Sequence, residues 1–323
     1  MPEPAPDLLP IAVTLGDPAG IGPEIVLKAL QAEPWASGCI VVGDAANLAR
    51  QAASLGLPMP AHVHRIDADE NAEVRPGEPG PLSGDIAYRS VLKAVGLQQS
   101  GRVRAIVTAP LAKSAMQAAG HDFPGHTELL AALAGGVPVR MMLANDELRV
   151  VLVTIHLPLR AALDRLDESV ILETLQIADR SLRLFGLAEP RLAVAGVNPH
   201  AGEDGLFGRE EIDLVAPAVR RARESGIQAS GPWPPDTVFM MARGGRRFDA
   251  VIAMYHDQGL IPVKYNGIEN GVNITLGLPY VRTSPDHGTA FDIAGQGIAD
   301  PSSLLSALRM ADELSRPGAL PAA

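Results

Sequence analysis

Residues 248–264 read FDAVIAMYHDQGLIPVK. The first seven are largely apolar, rich in Val, Ile and Ala, and short enough for one buried strand. The chain leaves that run into a histidine, an aspartate and a glutamine, with a lysine a few residues on. Five other stretches have the same form. IAVTLG (11–16) leads into a helical pattern near 22–32, CIVVG (39–43) into DAANLARQAASLG, and RAIVTA (104–109) into LAKSAMQAAG. VVLVTI (150–155) is followed after a loop by ESVILETLQIADRSLRLFG, and RLAVAGV (191–197) by EEIDLVAPAVRRARESG. Continuous apolar runs alternating with helical patterns predict an α/β fold with a mostly parallel sheet covered on both faces. Segment 66–84, rich in Asp, Glu, Pro and Gly, reads as a surface excursion. The chain has 323 residues, more than one core usually supports, so two lobes are expected. No Pro/Gly linker divides it, so the chain is expected to cross between the lobes more than once.

Apolar residues make up 47% and aromatics 4%, so the core must be built from Ala, Val, Leu and Ile. The formal net charge is −10 and no Lys/Arg-rich run is present, which argues against nucleic-acid binding. Against that background, an isolated Lys or Arg near a site gains weight as an anion ligand. The single cysteine, Cys39, lies in GCIVVG and reads as a small buried strand residue. The opening MPEPAPDLLP has neither the basic start nor the apolar stretch of a signal peptide. No apolar run reaches the roughly 18 residues of a membrane span. A soluble cytoplasmic protein is the expectation.

Three of the eight histidines stand at or just past predicted strands: His156 after VVLVTI, His200 in the turn after RLAVAGV, and His256 after FDAVIAMY. In open parallel sheets ligands bind outside the carboxyl ends of the strands, so three imidazoles there could converge on a metal. Taken singly, each also reads as a hydrogen-bonded loop residue. YHDQGLIPVK reads as a strand-end loop: Asp257 could orient His256 or cap the loop, and Lys264 could meet an anion or lie in solvent. FPGHTELL (123–130) places His126 and Thr127 at a probable helix start, where free N–H groups favour phosphate; Thr127 could equally be a plain cap. In GVNITLGLPYVRTSPDHGTAFDIAGQG (271–297), Asn273 is a donor and Arg282 a fixed cation suited to phosphate or carboxylate. PDHGTAFDIAG reads as a turn of small residues opening a helix, suited to close approach by a nucleotide. GDPAGIGPEI (16–25) spells G-x-x-x-G-x-G rather than a dinucleotide fingerprint, and reads as a tight turn with Pro23 in the first helical turn.

The ordered set GDPAGIGPEI, TAPLAK, GHTE, HLPLR, NPHAGE, PPDTVF, YHDQGLIPVK, GVNITLGLPYVRTSPDHGTA and DIAG resembles the 4-hydroxythreonine-4-phosphate dehydrogenase family of vitamin B6 biosynthesis, from about residue 11 to 315. The resemblance implies NAD(P)-dependent oxidation of 4-phosphooxy-L-threonine at its C3 hydroxyl, then decarboxylation to 3-amino-2-oxopropyl phosphate. It implies an isopropylmalate-dehydrogenase-like fold: two α/β/α lobes with mostly parallel sheets and a cleft between them. The lobes would be roughly 1–140 plus 275–323 on the nucleotide side and 141–274 on the metal and dimer side. It also implies a homodimer with its site shared between subunits, and a divalent metal on His156, His200 and His256. Substrate contacts carry over to His126, Thr127, Lys264, Asn273 and Arg282. His287, Gly288, Thr289, Ala290 and Asp292 carry over as cofactor candidates.

A metal on the alcohol oxygen would stabilise the developing alkoxide, and phosphate needs the cations and donors named. His126, Lys264 and Asp236 of PPDT are the candidates for proton handling, Asp236 alternatively for binding the amine. The ion could be Zn²⁺, Mg²⁺, Co²⁺ or Mn²⁺, and the cofactor NAD or NADP. Rival readings are oxidation of D-threonate or D-erythronate 4-phosphate, oxidation of an aromatic dihydrodiol, a metal-dependent phosphate-ester hydrolase, and a non-catalytic metal-binding protein. The phosphate-binding set argues against the dihydrodiol.

Overall fold

The structure is a computed structural model that describes residues 8–66, 73–265 and 271–316. The start of the MPEPAPD segment and the middle of the acidic 66–84 stretch lie outside the described residues. The chain divides into two compact units, Met1–Val137 with Leu278–Arg316, and Pro138–Gly277. Both are α/β, and their strands are mostly parallel.

The first unit holds β1 (Ile11–Thr14), β2 (Ile40–Gly43), β3 (Val63–Arg65), β4 (Ala105–Thr108) and, late in the chain, β11 (Val281–Pro285). Their spatial order is β3-β2-β1-β4-β11, and every pairing is parallel. Its helices are α1 (Gly22–Ala32), α2 (Ala45–Leu55), α3 (Pro81–Gln99), α4 (Lys113–Ala118), α5 (His126–Leu133) and α11 (Ser302–Leu314). Local chemistry sets several of their ends. Pro23 sits in the first turn of α1, as the GDPAGIGPEI reading expects. Asp44 caps α2 through Ala46 N and Asn47 N, and Gly56 ends it at φ 64°. The acidic excursion ends earlier than expected, because Pro81 opens α3, the helix that lies across β1, β2 and β4.

The second unit orders its strands β10-β5-β6-β9-β7-β8. These are β5 (Arg140–Ala144), β6 (Arg149–Leu152), β7 (Leu192–Ala195), β8 (Ala229–Trp233), β9 (Ala250–Ala253) and β10 (Val272–Leu276). β6, β9, β7 and β8 run parallel, whereas β5 is antiparallel to both β6 and β10. Around them lie α6 (Leu159–Asp164), α7 (Glu168–Leu184), α8 (Ala216–Glu224), α9 (Val238–Ala242) and α10 (His256–Lys264). Leu143, Val150, Leu152, Val251 and Ala253 form one core with Val238 of α9 and with Leu260 and Val263 of α10. No helix among the described residues is long and apolar enough to cross a membrane.

Two sequence expectations are corrected. YHDQGLIPVK is not a strand-end loop but the helix α10, with His256 at its first position and Lys264 at its last. The two ends therefore stand ~12 Å apart along the helix axis. PDHGTAFDIAG does not open a helix directly: only a single 3₁₀ turn, Phe291–Ile293, follows the loop, and α11 starts at Ser302.

Glycine placement within α3 gives a paired test. A Cβ on Gly84 would stand 2.1 Å from Ala115 O of α4, a backbone atom that cannot move aside, whereas nothing lies within 4 Å of one on Gly96. Gly84→Ala is expected to destabilise by more than ~2 kcal/mol and Gly96→Ala to stabilise by ~0.5–1 kcal/mol. Urea denaturation of the two variants checks both signs.

Candidate active site

Two histidines meet at the carboxyl ends of adjacent parallel strands in the second unit. Beyond the last ladder pair, Val153 N donates to Ala253 O, and the Thr154 hydroxyl donates to Met254 O at 2.8 Å. His156 and His256 then lie equally far past Thr154 and Met254, and their ring centroids are 5.7 Å apart. His156 takes a left-handed backbone, φ 52°, uncommon for a residue with a side chain and met more often at functional sites. His256 Nδ1 lies 2.7 Å from Asp257 Oδ1. An ionised carboxylate only accepts, so Nδ1 carries a proton, and Nε2 is the nitrogen that would face a ligand. Thr154, His156, Tyr255, His256 and Asp257 line a cavity of about 290 Å³. A neighbouring cavity of about 600 Å³ shares Tyr255 and Asp257 and is also lined by Asp236 and Gln258.

The third histidine stands in a loop of unusual backbone. His200, Ala201, Glu203 and Asp204 all have φ between 43° and 53°. Glu211, 2% exposed, anchors the loop: one carboxylate oxygen accepts from Val197 N and Asn198 N, both at 2.7 Å, and the other from Asn198 Nδ2 at 3.0 Å. Among the described residues no group of three His, Cys, Asp or Glu is assembled to hold a metal. The structure thus brings His156 and His256 together and leaves His200 outside their group. Gln258 ties the two strand ends: its Oε1 accepts from Met254 N and its Nε2 donates to Gly196 O, both at 2.7 Å. A Cβ on Gly259 would come within 2.6–3.0 Å of Leu152, Val150 and Ala253, so glycine lets α10 lie directly on β6 and β9. Glu211 escaped the sequence reading because it looks like a polar residue on a helical surface, and Gln258, though noticed, carried no sign of its two backbone contacts. Lys264 is partly buried at the end of α10, and Asn273 is partly buried on β10.

The first unit carries a buried cation. Arg282 on β11 is 2% exposed, and its Nη2 donates to Thr108 Oγ1 at 2.5 Å. Burial lowers its pKa to about 10, with the phenol of Tyr280 acting the other way. His126, at the first position of α5, is near enough for the guanidinium to disfavour its protonation. Burial, and then Arg282, hold its pKa well below the ordinary imidazole range. The residue as a whole is only partly covered, but its Nε2 atom is buried without a hydrogen-bond partner. Thr127 follows at the second helical position and does not cap the helix, since the N-cap is Gly125. The stem of Lys113, which the sequence reading passed over within TAPLAK, lies against Gly125. It brings an ammonium to the start of α5, where helix N–H groups already favour anions.

The cofactor candidates form one loop after β11. Thr289 O accepts from Ile21 N at 2.9 Å, and a Cβ on Gly20 would lie 2.8 Å from the same oxygen. The glycine-rich turn before α1 therefore serves as the seat of this loop. Ala290 is left-handed, φ 42°, and Phe291–Ile293 form the 3₁₀ turn that carries Asp292. His287 Nδ1 lies 2.9 Å from Gly288 O, which is an acceptor, so Nδ1 donates.

The lowered His126 pKa has a stability consequence. Above the ordinary value of ~6.5 the ring is neutral both folded and unfolded. As pH falls below ~6.5, only the unfolded chain takes up the proton, so stability is lost at up to ~1.4 kcal/mol per pH unit. Urea denaturation at pH 7.5 and 5.5 is expected to show a larger acid loss in the native chain than in His126→Gln. Equal losses would remove His126 as the group responsible.

Comparison with known proteins places the chain in a family. The family described as pyridoxal phosphate biosynthetic protein PdxA matches residues 36–311. A protein of Beijerinckia indica named 4-hydroxythreonine-4-phosphate dehydrogenase is 51% identical, covering 95% of this chain and 96% of its own. A D-threonate 4-phosphate dehydrogenase of Pectobacterium atrosepticum is 46% identical over 94% of this chain and 99% of its own. The crystal structure of 4-hydroxythreonine-4-phosphate dehydrogenase from Klebsiella pneumoniae, 47% identical, has a TM-score of 0.88 and covers 95% of this chain and 100% of that one. The chain belongs to the PdxA family.

Proposed function

We propose that this dehydrogenase catalyses the NAD(P)-dependent, divalent-metal-assisted oxidation of 4-phosphooxy-L-threonine to 2-amino-3-oxo-4-phosphooxybutanoate. That product loses CO₂ to give 3-amino-2-oxopropyl phosphate, on the route to pyridoxine 5′-phosphate in the cytoplasm. The observation that carries the reading is the buried Arg282 guanidinium beside His126 and the α5 N-terminus, which suits a phosphate. The relatives' names support it, since each acts on a 4-phosphate.

The histidine pair fits a metal. His156 and His256 bring two imidazoles to one cavity, and Asp257 fixes the tautomer of His256. A bound Zn²⁺, Mg²⁺, Co²⁺ or Mn²⁺ would supply Lewis acidity for alcohol oxidation and for the decarboxylation that follows. NAD or NADP would accept the hydride, held by the loop of His287, Gly288, Thr289, Ala290 and Asp292. In the first unit Arg282, Thr127 and the neutral His126 bind and orient the substrate's anionic groups. Lys264 and Asn273 are further residues proposed to bind the substrate. Asp236 faces the same cavity as Asp257 and is the group to take up a proton or bind the amine. His200 completes the metal set in a homodimer whose subunits share the site. Exposed apolar side chains near His156 and His200 support such a partner: Leu159 is 58% exposed, Leu206 74% and Phe207 48%.

A second reading, D-threonate 4-phosphate as substrate, is favoured by the 46% identical relative of that name. An anion seat does not separate an amino acid from a hydroxy acid of the same length.

With 4-phosphooxy-L-threonine, NAD reduction is expected to require divalent metal and to fall at least ~10²-fold in His256→Ala. Higher kcat/KM on D-threonate 4-phosphate would transfer the protein to the second reading. The double variant Leu206→Asp, Phe207→Asp is expected to elute as a monomer and to bind less metal at equilibrium dialysis. A dimer with full metal content would refute the shared site.

A further inference from the structure

The loop between β11 and α11, residues 286–301, has little structure of its own. Its one regular element is the 3₁₀ turn Phe291–Ile293. Ala290, Gly295 and Gly297 are left-handed, with φ of 42°, 75° and 75°. The backbone bonds within it are long: 3.2 Å from Ile293 N to Ala290 O, 3.3 Å from Gln296 N to Ile293 O and 3.4 Å from Ala294 N to Phe291 O. A loop of that kind keeps one shape only if other elements hold it. Helix α1 holds both of its feet. At the first, Ile21 N donates to Thr289 O. At the second, Glu24 and Lys28, one turn apart on α1, pair at 2.7 Å. Glu24 is fully buried; its Oε1 accepts from Ala299 N at 2.8 Å and its Oε2 from Gly297 N at 3.2 Å. Lys28 Nζ donates to Gly297 O at 2.9 Å and to Ala299 O at 2.7 Å, so all three ammonium protons are used. A carboxylate only accepts and an ammonium only donates, so both are needed to satisfy the N–H and C=O of these two loop residues.

We propose that Glu24 and Lys28 are positioning residues for the dinucleotide: by holding Gly297 and Ala299 they keep the loop of His287, Gly288, Thr289, Ala290 and Asp292 in its binding shape. The inference rests on the cofactor reading of that loop given above and deepens it. His287 supports the reading, since its Nε2 is buried without a hydrogen-bond partner among the described residues, and a ligand group would satisfy it. Glu24 and Lys28 act through the loop rather than on the cofactor. Observed affinity is the intrinsic affinity scaled by the fraction of molecules whose loop is in the binding shape. Loosening the second foot lowers that fraction and leaves the bound geometry unchanged.

The experiment compares the native protein with Lys28→Met, Lys28→Arg and Arg309→Met. Arg309 of α11 pairs with Glu33 at the end of α1, so its loss removes an ion pair of the same helix that is not one of the loop's contacts. Amide hydrogen exchange is measured on the cofactor-free proteins, and NADH and NADPH binding is followed by nucleotide fluorescence. Lys28→Met is expected to speed exchange within residues 287–299 and to weaken the tighter-bound nucleotide about tenfold, as the competent fraction falls. Lys28→Arg keeps the charge and the donors and is expected to recover most of that affinity. Arg309→Met is expected to bind as the native protein does. Should Lys28→Met fail to fold, Lys28→Gln, which keeps a donor beside Glu24, takes its place. Equal nucleotide affinity in the native protein and the loosened variant overturns the inference and leaves the dehydrogenase reading intact. Equal weakening in Lys28→Met and Arg309→Met, or no recovery in Lys28→Arg, reduces the pair to general stability and overturns it as well. A native protein that binds neither nucleotide rejects the cofactor reading, and the inference with it.

Discussion

Where parallel strands stop, backbone N–H and C=O groups run out of ladder partners, and side chains must satisfy them. In the second unit that task falls to Gln258. One amide reaches the N–H of Met254, past β9, and the C=O of Gly196, past β7. No ionised residue could serve both, because a carboxylate only accepts and an ammonium only donates. The same side chain sits in the first turn of α10, the turn that opens with His256. Gly259 then removes the Cβ that would hold the helix off the strands. Two successive residues, Gln258 and Gly259, thus shape the end of a hydrophobic strand beside His256.

The histidine at the end of β9 and the one beyond β6 are placed by register, and that much could be read from the sequence. Apolar runs mark the strands, and a histidine just past a run falls at the carboxyl edge of a parallel sheet. The order of nine motifs carried the family. Helix α10 was not legible, since Gly259 and Pro262 within a nine-residue segment are helix breakers by local propensity. Packing of Leu260 and Val263 into the sheet overrides that preference. β5 and β10 were passed over because antiparallel strands of five residues, set among loops, give little periodic signal.

The proposed anion seat was legible only in part. Arg282, His126 and Thr127 belong to recognisable motifs. Their proximity is tertiary, since β11 must pair with β4 to carry Arg282 to Thr108. Lys113 carries no sequence mark that separates it from an ordinary surface lysine. Glu211 is hidden for the opposite reason: a carboxylate in an amphipathic stretch is normally solvated, and here it is turned inward to hold backbone N–H groups.

The first unit is discontinuous, and that bears on its birth. β4 and α5 leave the ribosome early, whereas β11 emerges only after the whole second unit. At ordinary translation speeds the delay is on the order of ten seconds. For that interval the nascent sheet exposes the bare edge of β4, a strand of four fully buried residues in the finished protein. The second unit is contiguous in sequence and can fold within the same interval. Arg282 arrives with the strand that covers the edge, so its guanidinium is enclosed in the same step that closes the sheet.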